Sequence, residues 1–351
     1  MSSSSPASIS PPSIASEPGR LSAEMCLRIH DLMLRTRVLE ERLITMYKQG
    51  DGYFWIGGPG EEAFNVPLGL LANKGEGVDH DYLHLHYRSS GTLLALGADP
   101  VDSLRQMKNV ATDPYSKGRN FAGHFSVRKW NVVPVSSPIE VQHSIAIGTA
   151  RAQRAGTGAK GISIVQGGDA GSAEGDFATA LVWSSRKGQE LPLLVIVTNN
   201  RFGISTPYAG QHGEEHVSDR GKPFGMPTAV VDGNDAEASY VALQKAIHYV
   251  RTEKKPYLLE AMVSRLRGHS SASGANVVKG EVDCLERFEQ TLEGRKLIDR
   301  GEIEKRRATI TQELLDASGR IRNEPAPEPS SIWEHVFADK NLVAPSRDGD
   351  R

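Results

Sequence analysis

The chain has 351 residues, of which 38% are hydrophobic and 24% are charged, an ordinary balance for a globular protein. Its net charge is −2, with no long basic run, which argues against binding to nucleic acid or to an anionic membrane. No apolar run approaches the ~20 residues needed to span a bilayer. The two cysteines, Cys26 and Cys284, stand too far apart for a zinc ribbon and suit a reducing cytoplasm. Residues 1–20 contain one basic side chain, Arg20, and predict a disordered tail rather than a secretion signal or transit peptide.

The first ordered element is predicted to begin at Ser22. This residue can cap a helix that holds Glu24 in its first turn and ends at Gly50. A second start signal is Asp99-Pro100, in which the aspartate caps a helix and the proline is its first residue.

From about residue 139, helices and strands alternate. Helices are predicted at residues 139–155, 173–186 and 236–252, and strands at residues 161–166, 193–198, 228–231 and 257–263. The strands are continuous apolar runs, so both faces of each strand must be buried. This alternation predicts an α/β fold in which a mostly parallel sheet is sandwiched between helices.

The C-terminal part predicts a helical extension, with helices at residues 282–299 and 302–317. A Pro-rich linker follows, and the apolar segment 331–337 is expected to dock on the domain or on a partner. We therefore predict one α/β domain over residues 21–322, with a linker and docking tail over residues 323–351.

One glycine motif is misleading. Gly156-Thr-Gly-Ala-Lys-Gly161 matches the dinucleotide fingerprint G-x-G-x-x-G. That fingerprint binds pyrophosphate only when it follows a strand and opens a helix. Here it follows a helix and precedes a strand, so we interpret it as a loop.

The more informative cluster runs from Gly167 to Asp176. It leaves a buried strand and enters a helix, at the sheet edge where ligands bind in open parallel sheets. Asp169 would repel a bare phosphate, but it suits a divalent cation held between carboxylate and phosphate. Asn199 ends the next strand, thirty residues later, so the two loops should lie side by side. A carboxylate, an amide oxygen and diphosphate oxygens form the shell that Mg²⁺ prefers, although either loop alone could be an ordinary polar loop.

These motifs resemble the alpha subunits of the thiamine diphosphate-dependent 2-oxoacid dehydrogenases. The likeness covers about residues 25 to 340. Its most specific motif is G-D-x followed about thirty residues later by N-N. The other matching segments are Phe54-Trp-Ile-Gly-Gly-Pro-Gly-Glu-Glu-Ala63, His86-Tyr87-Arg88, Ser136-Ser137-Pro138-Ile139, Asn199 to Thr206, Val231-Asp-Gly-Asn-Asp235 and Arg267-Gly268-His269-Ser270.

The resemblance implies the residues of the site. The metal ligands would be Asp169, the side chain of Asn200 and the backbone carbonyl of Phe202. The diphosphate would contact the amides of Ala170 and Gly171 and the side chains of Tyr87 and Arg88. Ser137 would line the cofactor, and Ile139 would be the apolar wedge behind its bent conformation. A potassium loop would comprise Ser136, Pro138 and Gln142, with Val141 where a hydroxyl ligand often lies.

His269 matches the family's active-site histidine. It follows the last strand in a Gly/Ser-rich loop, and it suits proton transfer near neutral pH and contact with the diphosphate. A different hypothesis concerns His84 and His86, which share a face if they lie on a strand and could bind zinc together with His80.

Three features depart from the family. Thr198 stands where branched-chain members place an arginine, and Pro67 is expected to interrupt an early helix. The loop 272–278 replaces a Ser-Asp-Asp stretch that normally orders over the cofactor.

The resemblance implies decarboxylation of a 2-oxoacid on Mg²⁺–thiamine diphosphate, followed by acyl transfer to the lipoyl group of an acyltransferase component. A beta subunit would complete the site in an α₂β₂ assembly, because the chain has room for one thiamine-binding domain. The segments 203–206 and 329–337 favour branched-chain substrates, whereas residues 199–202 are closer to pyruvate members. Pyruvate or acetoin is the alternative within the enzyme class, and a non-catalytic regulatory homologue is the alternative outside it.

Overall fold

The structure is a computed structural model that describes residues 20–156, 158–334 and 336. Residues 1–19 of the predicted tail and residues 337–351 of the predicted docking tail lie outside this part. The helices are α1 (Ala23–Lys48), α2 (Glu62–Leu71), α3 (Ser90–Ala95), α4 (Pro100–Lys108), α5 (Val141–Ala155), α6 (Gly175–Ser184), α7 (Ala236–Glu253), α8 (Cys284–Gly294) and α9 (Arg300–Ile321). The strands are β1 (Tyr82–His84), β2 (Ser163–Gly168), β3 (Leu193–Asn199), β4 (Phe202–Gly203), β5 (Thr206–Pro207), β6 (Thr228–Asp232) and β7 (Tyr257–Met262).

The central sheet has five strands in the order β1-β2-β3-β7-β6. Every neighbouring pair in it is parallel, so the predicted mostly parallel sheet is confirmed. Strands β4 and β5 form a separate antiparallel hairpin. Because all five strands run in one direction, their carboxyl ends meet at a single edge of the sheet.

The two faces of the sheet pack against different helices. In β3, Leu193, Val195 and Val197 face one side, where α5 and α6 contribute residues such as Phe177 to the core. The alternate residues Leu194 and Ile196 face the other side, against α2 and α7. Each buried side chain of this size contributes about 1.5–3 kcal/mol, and double burial explains the uninterrupted apolar run in the sequence.

A third cluster joins the first helix to the last two. Buried residues of α1, α8 and α9 share one hydrophobic core, so the predicted helical extension packs back on α1. Arg37 of α1 also donates to Glu62 of α2 at 2.6 Å and to Asp283, the N-cap of α8, at 2.7 Å. The division of the chain at residue 322 stays a prediction.

Two predicted helix starts are confirmed by their caps. The Ser22 hydroxyl accepts from the Met25 amide at 3.2 Å, and the Asp99 carboxylate accepts from the Val101 amide at 2.9 Å. Gly50, just after α1, has φ +74°, a conformation that glycine adopts without steric cost. The G-x-G-x-x-G motif lies between the end of α5 and the start of β2, as predicted.

Other expectations need correction. Pro67 lies inside α2 and does not interrupt it, because every residue from Glu62 to Gly69 is buried. Packing therefore outweighs the lost backbone hydrogen bond, which costs about 3 kcal/mol in a helix. The helix expected from residue 139 begins at Val141. Across the described ranges, no helix is long and apolar enough to cross a membrane.

Candidate functional site

A cavity of about 310 Å³ opens at the carboxyl edge of the sheet. Its walls come from segments that follow β1, β2, β3 and β7, and from the residues that precede α5. It is lined by these residues of the predicted site: Tyr87, Arg88, Ile139, Asp169, Ala170, Gly171, Phe202 and His269. The structure thus brings together side chains that lie up to 182 positions apart in the sequence.

Asp169 is the buried anion of this cavity. It is only 1% exposed, and its Oδ2 has no hydrogen-bond partner. Burial raises the pKa of its carboxyl to about 6, and the nearby Arg88 opposes this effect. A desolvated carboxylate with a free oxygen is destabilised by its burial and would be stabilised by a bound cation.

The neighbouring loop supplies an amide group. Asn200 is 2% exposed; its Oδ1 accepts from the Phe202 amide at 3.1 Å, and its Nδ2 has no partner. An amide oxygen has a second lone pair, so Asn200 keeps the capacity to bind a metal ion. The preceding Asn199, from which the spacing of thirty residues is counted, has its side chain engaged elsewhere: it donates to Glu260 at 2.7 Å and accepts from the Arg201 amide.

Arg88 is the buried cation of the site. It is 5% exposed, and its guanidinium lies 4.8 Å from the centre of the Tyr87 ring. Its Nε has no hydrogen-bond partner, although Oε1 of the buried Glu61 lies 3.6 Å away. A buried guanidinium with an unpaired donor suits an anionic ligand, because phosphate oxygens can accept from its fork of N–H groups.

His269 is held by Arg88. Nη2 of Arg88 lies 3.2 Å from Nδ1 of His269 and, as guanidinium cannot accept, it donates to the ring. The His269 proton therefore resides on Nε2. Burial, with the charges of Arg88 and Arg265, lowers the pKa of His269 to about 4, so the imidazole is neutral at pH 7. In the chain without a bound ligand this lowering disfavours the protonated ring near neutral pH, and an anion beside Arg88 would oppose it.

Three predicted residues lie differently from the rest. Asn200 is buried and does not line the cavity. Ile139 lines the cavity but is 45% exposed, and Ser137 is exposed and does not line it. In the proposed potassium loop, Nε2 of Gln142 donates to the Gln166 carbonyl at 3.1 Å, while its Oε1 is buried without a partner.

The zinc alternative is contradicted. Nε2 of His84 is bound to the Thr149 hydroxyl at 2.8 Å, and burial lowers the pKa of His84 to about 3. His80 contacts the Glu76 carbonyl instead of either histidine. Within the described residues, no three His, Cys, Asp or Glu side chains are grouped so that they could hold a metal ion.

The departures from the family have structural roles. Thr198 is buried in β3, and its hydroxyl lies 3.4 Å from the Gly167 carbonyl of the neighbouring strand. The altered loop after His269 is tied to Trp55: the amide of Ser271 donates to the Trp55 carbonyl, and its hydroxyl accepts from the Trp55 amide. A further bond joins the Gly268 amide to the Asn276 carbonyl at 2.9 Å.

Seven residues of the cavity wall were not among the predicted site residues, namely His86, Glu140, Gly168, Glu174, Gly203, Ile204 and Gln211. Glu140 directly follows the matched segment 136–139, so its position in the sequence could have indicated that it lies in the cavity wall. Ile204 lies in the matched segment 199–206, but its conformation had no signal: it is 58% exposed with φ +56°, and Arg265 donates to its carbonyl at 2.7 Å. A left-handed β-branched residue cannot be read from a sequence pattern.

Comparison with known proteins identifies the family of this chain and several relatives. The profile of the family described as "Dehydrogenase E1 component" matches residues 30–330. The chain is 30% identical to the 2-oxoisovalerate dehydrogenase subunit alpha of Bacillus subtilis, over 91% of this chain and 97% of that protein. It is 28% identical to the mitochondrial subunit alpha 2 of Arabidopsis thaliana (91% of this chain, 67% of that protein). It is 26% identical to the mitochondrial subunit alpha of Bos taurus (92% of this chain, 71% of that protein).

The match of the family profile extends over most of the chain and includes all the elements that form the cavity. The chain therefore belongs to the dehydrogenase E1 component family, which implies the use of thiamine diphosphate.

Proposed function

We propose that this chain is the alpha subunit of a branched-chain 2-oxoacid dehydrogenase. In this proposal it binds Mg²⁺–thiamine diphosphate, takes part in decarboxylation of the 2-oxoacid and passes the acyl group to a lipoyl domain. The observation that carries the proposal is the unpaired Oδ2 of the buried Asp169, in one cavity with Arg88.

The residues fit the cofactor's charged end. Asp169, the Asn200 side chain and the Phe202 carbonyl offer the hard oxygen ligands that Mg²⁺ prefers. The diphosphate would be held by Arg88, Tyr87 and the amides of Ala170 and Gly171, with Ser137 and Ile139 farther along the cofactor. Potassium at Ser136, Pro138 and Gln142 stays a prediction, for which the buried, unpaired Gln142 Oε1 offers a ligand atom.

Bound thiamine diphosphate supplies the electron sink for the charge left when CO₂ departs. This chain's own residues bind, orient and hold protons around it. Arg88 keeps the His269 ring in one tautomer, with the proton at Nε2. We assign His269 to proton transfer during acyl transfer to the lipoyl group. An imidazole transfers protons most effectively when its pKa lies near the working pH. A diphosphate beside Arg88 would bring the pKa of His269 closer to that value.

The proposal includes a beta subunit in an α₂β₂ assembly and a lipoyl-bearing acyltransferase as the next component. The described residues contain one five-stranded sheet, with a cavity at its ligand-binding edge. Ile139 and Ile204 are exposed beside that cavity, where a second chain could cover them. The similar proteins carry the name "subunit alpha", which supports a partner of this kind. A cytoplasmic location is proposed from the buried free thiols Cys26 and Cys284.

The branched-chain substrate is supported by the relatives' name, 2-oxoisovalerate dehydrogenase. Pyruvate or acetoin is the alternative substrate, since residues 199–202 resemble those members. A non-catalytic homologue is disfavoured, because Arg88, Asp169 and His269 all remain at the cavity and the buried Asn200 accepts from the amide of Phe202, which lines it.

The experiment is calorimetric titration of the assembled enzyme with Mg²⁺ and thiamine diphosphate. We expect Asp169→Ala and Asn200→Ala to abolish binding while the fold survives, because both side chains lie in loops at the sheet edge. Asp316→Ala, an exposed aspartate on α9, is the matched control and should bind normally. Near-normal affinity in both site variants would show that the metal lies elsewhere.

A further inference from the structure

Glu140 has no role in the predicted site, yet it is buried in the cavity wall. It directly precedes α5, is 2% exposed and has φ +64°. Residues other than glycine rarely adopt this left-handed conformation, so the surroundings of the side chain must hold it there.

The Glu140 carboxylate joins the loop after β2 to helix α5. Its Oε1 accepts from the Gly168 amide at 3.2 Å, one residue before Asp169. Its Oε2 lies 2.5 Å from Nδ1 of His143, although the two groups are not aligned as a hydrogen bond. His143 is fully buried on α5, with its ring centre 5.5 Å from that of Phe177 in an edge-to-face contact. The loop, the carboxylate and the helix thus form one packed unit.

Two glycines of the loop leave the space that this carboxylate fills. A Cβ at Gly167 would lie 2.7 Å from Cδ of Glu140, and a Cβ at Gly171 would lie 2.7 Å from its Cγ, with the carboxylate oxygens closer still. These distances are shorter than real Cβ contacts. Neither glycine has a positive φ, so the backbone does not require glycine there. The carboxylate of Glu140 is what excludes a side chain at both positions.

We propose that Glu140, supported by His143, is a positioning residue that holds the segment Gly167–Gly171, which runs from the end of β2 into the following loop, in the shape that receives the cofactor's diphosphate. This inference rests on the proposed function. Asp169 and the amides of Ala170 and Gly171 belong to that loop, so its shape sets where the metal ion and the phosphate oxygens are bound. Without Glu140, the half-buried Gly168 amide would lose its protein acceptor, and the end of β2 would no longer be tied to α5 through this side chain.

The test compares variants in the assembled enzyme by calorimetric titration with Mg²⁺–thiamine diphosphate. Glu140→Ala should weaken cofactor binding by about tenfold or more, since it removes a buried hydrogen bond to the loop. At saturating cofactor its kcat should stay within about threefold of the parent, because no reacting group is lost. Glu140→Gln keeps an acceptor of the same size and should restore affinity to within about threefold of the parent.

A double-mutant cycle examines the contact itself. Gly171→Ala should weaken binding by about tenfold or more, because the new methyl group overlaps Glu140. Combining it with Glu140→Ala removes the overlap, so the double variant should bind no worse than the weaker single variant. Gly175→Ala is the matched control, as Gly175 is exposed and no atom lies within 4 Å of the position that a Cβ would occupy there.

The outcomes separate this inference from the proposed function. If the parent enzyme does not bind Mg²⁺–thiamine diphosphate, the proposed function and this inference both fail. If the parent binds and Glu140→Ala binds equally well, only the positioning role is refuted. Losses that multiply in the double variant would also refute it, because they would mean that Gly171 and Glu140 act independently. If Glu140→Ala does not assemble, the affinities of Glu140→Gln and Gly171→Ala decide the question.

Discussion

Replacing Asp169 by asparagine should stabilise the cofactor-free chain. Burial is the main cause that raises the pKa of Asp169 from 3.8 to about 6, so ionisation of this carboxyl destabilises the folded state. At about 1.36 kcal/mol per pKa unit, the difference corresponds to about 3 kcal/mol. Because the pKa of Asp169 is higher in the folded state, the chain has its full free energy of unfolding below pH 3.8. It loses the corresponding amount, about 3 kcal/mol, as the pH rises through about 6.

Asparagine has nearly the same size and carries no charge, so it avoids this loss. We expect the variant to exceed the parent by up to about 3 kcal/mol in free energy of unfolding at pH 7.5, and by about half as much at pH 5. The assay is urea unfolding of the cofactor-free chain at both pH values, with Asp316→Asn as the exposed control. Adding Mg²⁺–thiamine diphosphate should reverse the order, since only the parent gains binding free energy.

Two results would refute this reasoning. One is an asparagine variant that is no more stable than the parent at pH 7.5, which would mean that the Asp169 charge is already compensated. The other is a stability difference of equal size at pH 5 and pH 7.5, which would show that the gain comes from packing and not from ionisation.

Three further predictions concern the assembled site. The purified chain alone should decarboxylate no 2-oxoacid at a useful rate until a beta subunit is added, and thiamine-dependent turnover by the single chain would contradict this. At saturating cofactor, His269→Ala should lower the rate of lipoyl acylation by about 10²–10⁴-fold and should lower the rate of decarboxylation, measured with an artificial electron acceptor, by a smaller factor. Replacement of the exposed His248 by alanine is the control. Equal losses in both assays would limit His269 to cofactor placement. Burial raises the pKa of Glu61 to about 7, so the affinity for the cofactor should fall as the pH rises and Glu61 ionises beside Arg88. Glu61→Gln should remove this pH dependence of the affinity. If the variant shows the same dependence of affinity on pH as the parent, Glu61 is not its cause.

The sheet and its ligand-binding edge could be predicted because their signals are local. The uninterrupted apolar run 193–198 could only be a strand buried on both faces, and β3 is buried throughout. The polar loops after β2 and β3 must lie side by side in a parallel sheet, and the register pairs Gly168 with Thr198 at their ends. These inferences need only the sequence within each element and the rule that parallel strands end together.

The rest depends on contacts between distant parts of the chain. The pKa of His269 is set by burial and by Arg88, 181 positions away, so its residue type alone suggested a near-neutral value that the fold does not give. Asn199 and Asn200 are identical neighbours, and only the position of Glu260 on β7 decides which amide is engaged. Pro67 has an unfavourable helix propensity, which the burial of α2 overrides.

The left-handed backbone of Ile204 has a consequence for protein engineering. Glycine adopts a positive φ freely, whereas a β-branched residue there costs about 1–2 kcal/mol. A screen for heat resistance alone should therefore favour Ile204→Gly. The same exchange would remove an apolar side chain that is 58% exposed at the cavity wall. Laboratory evolution for thermal tolerance and evolution for turnover should thus diverge at this position, as happens where natural sequences retain a costly residue for activity.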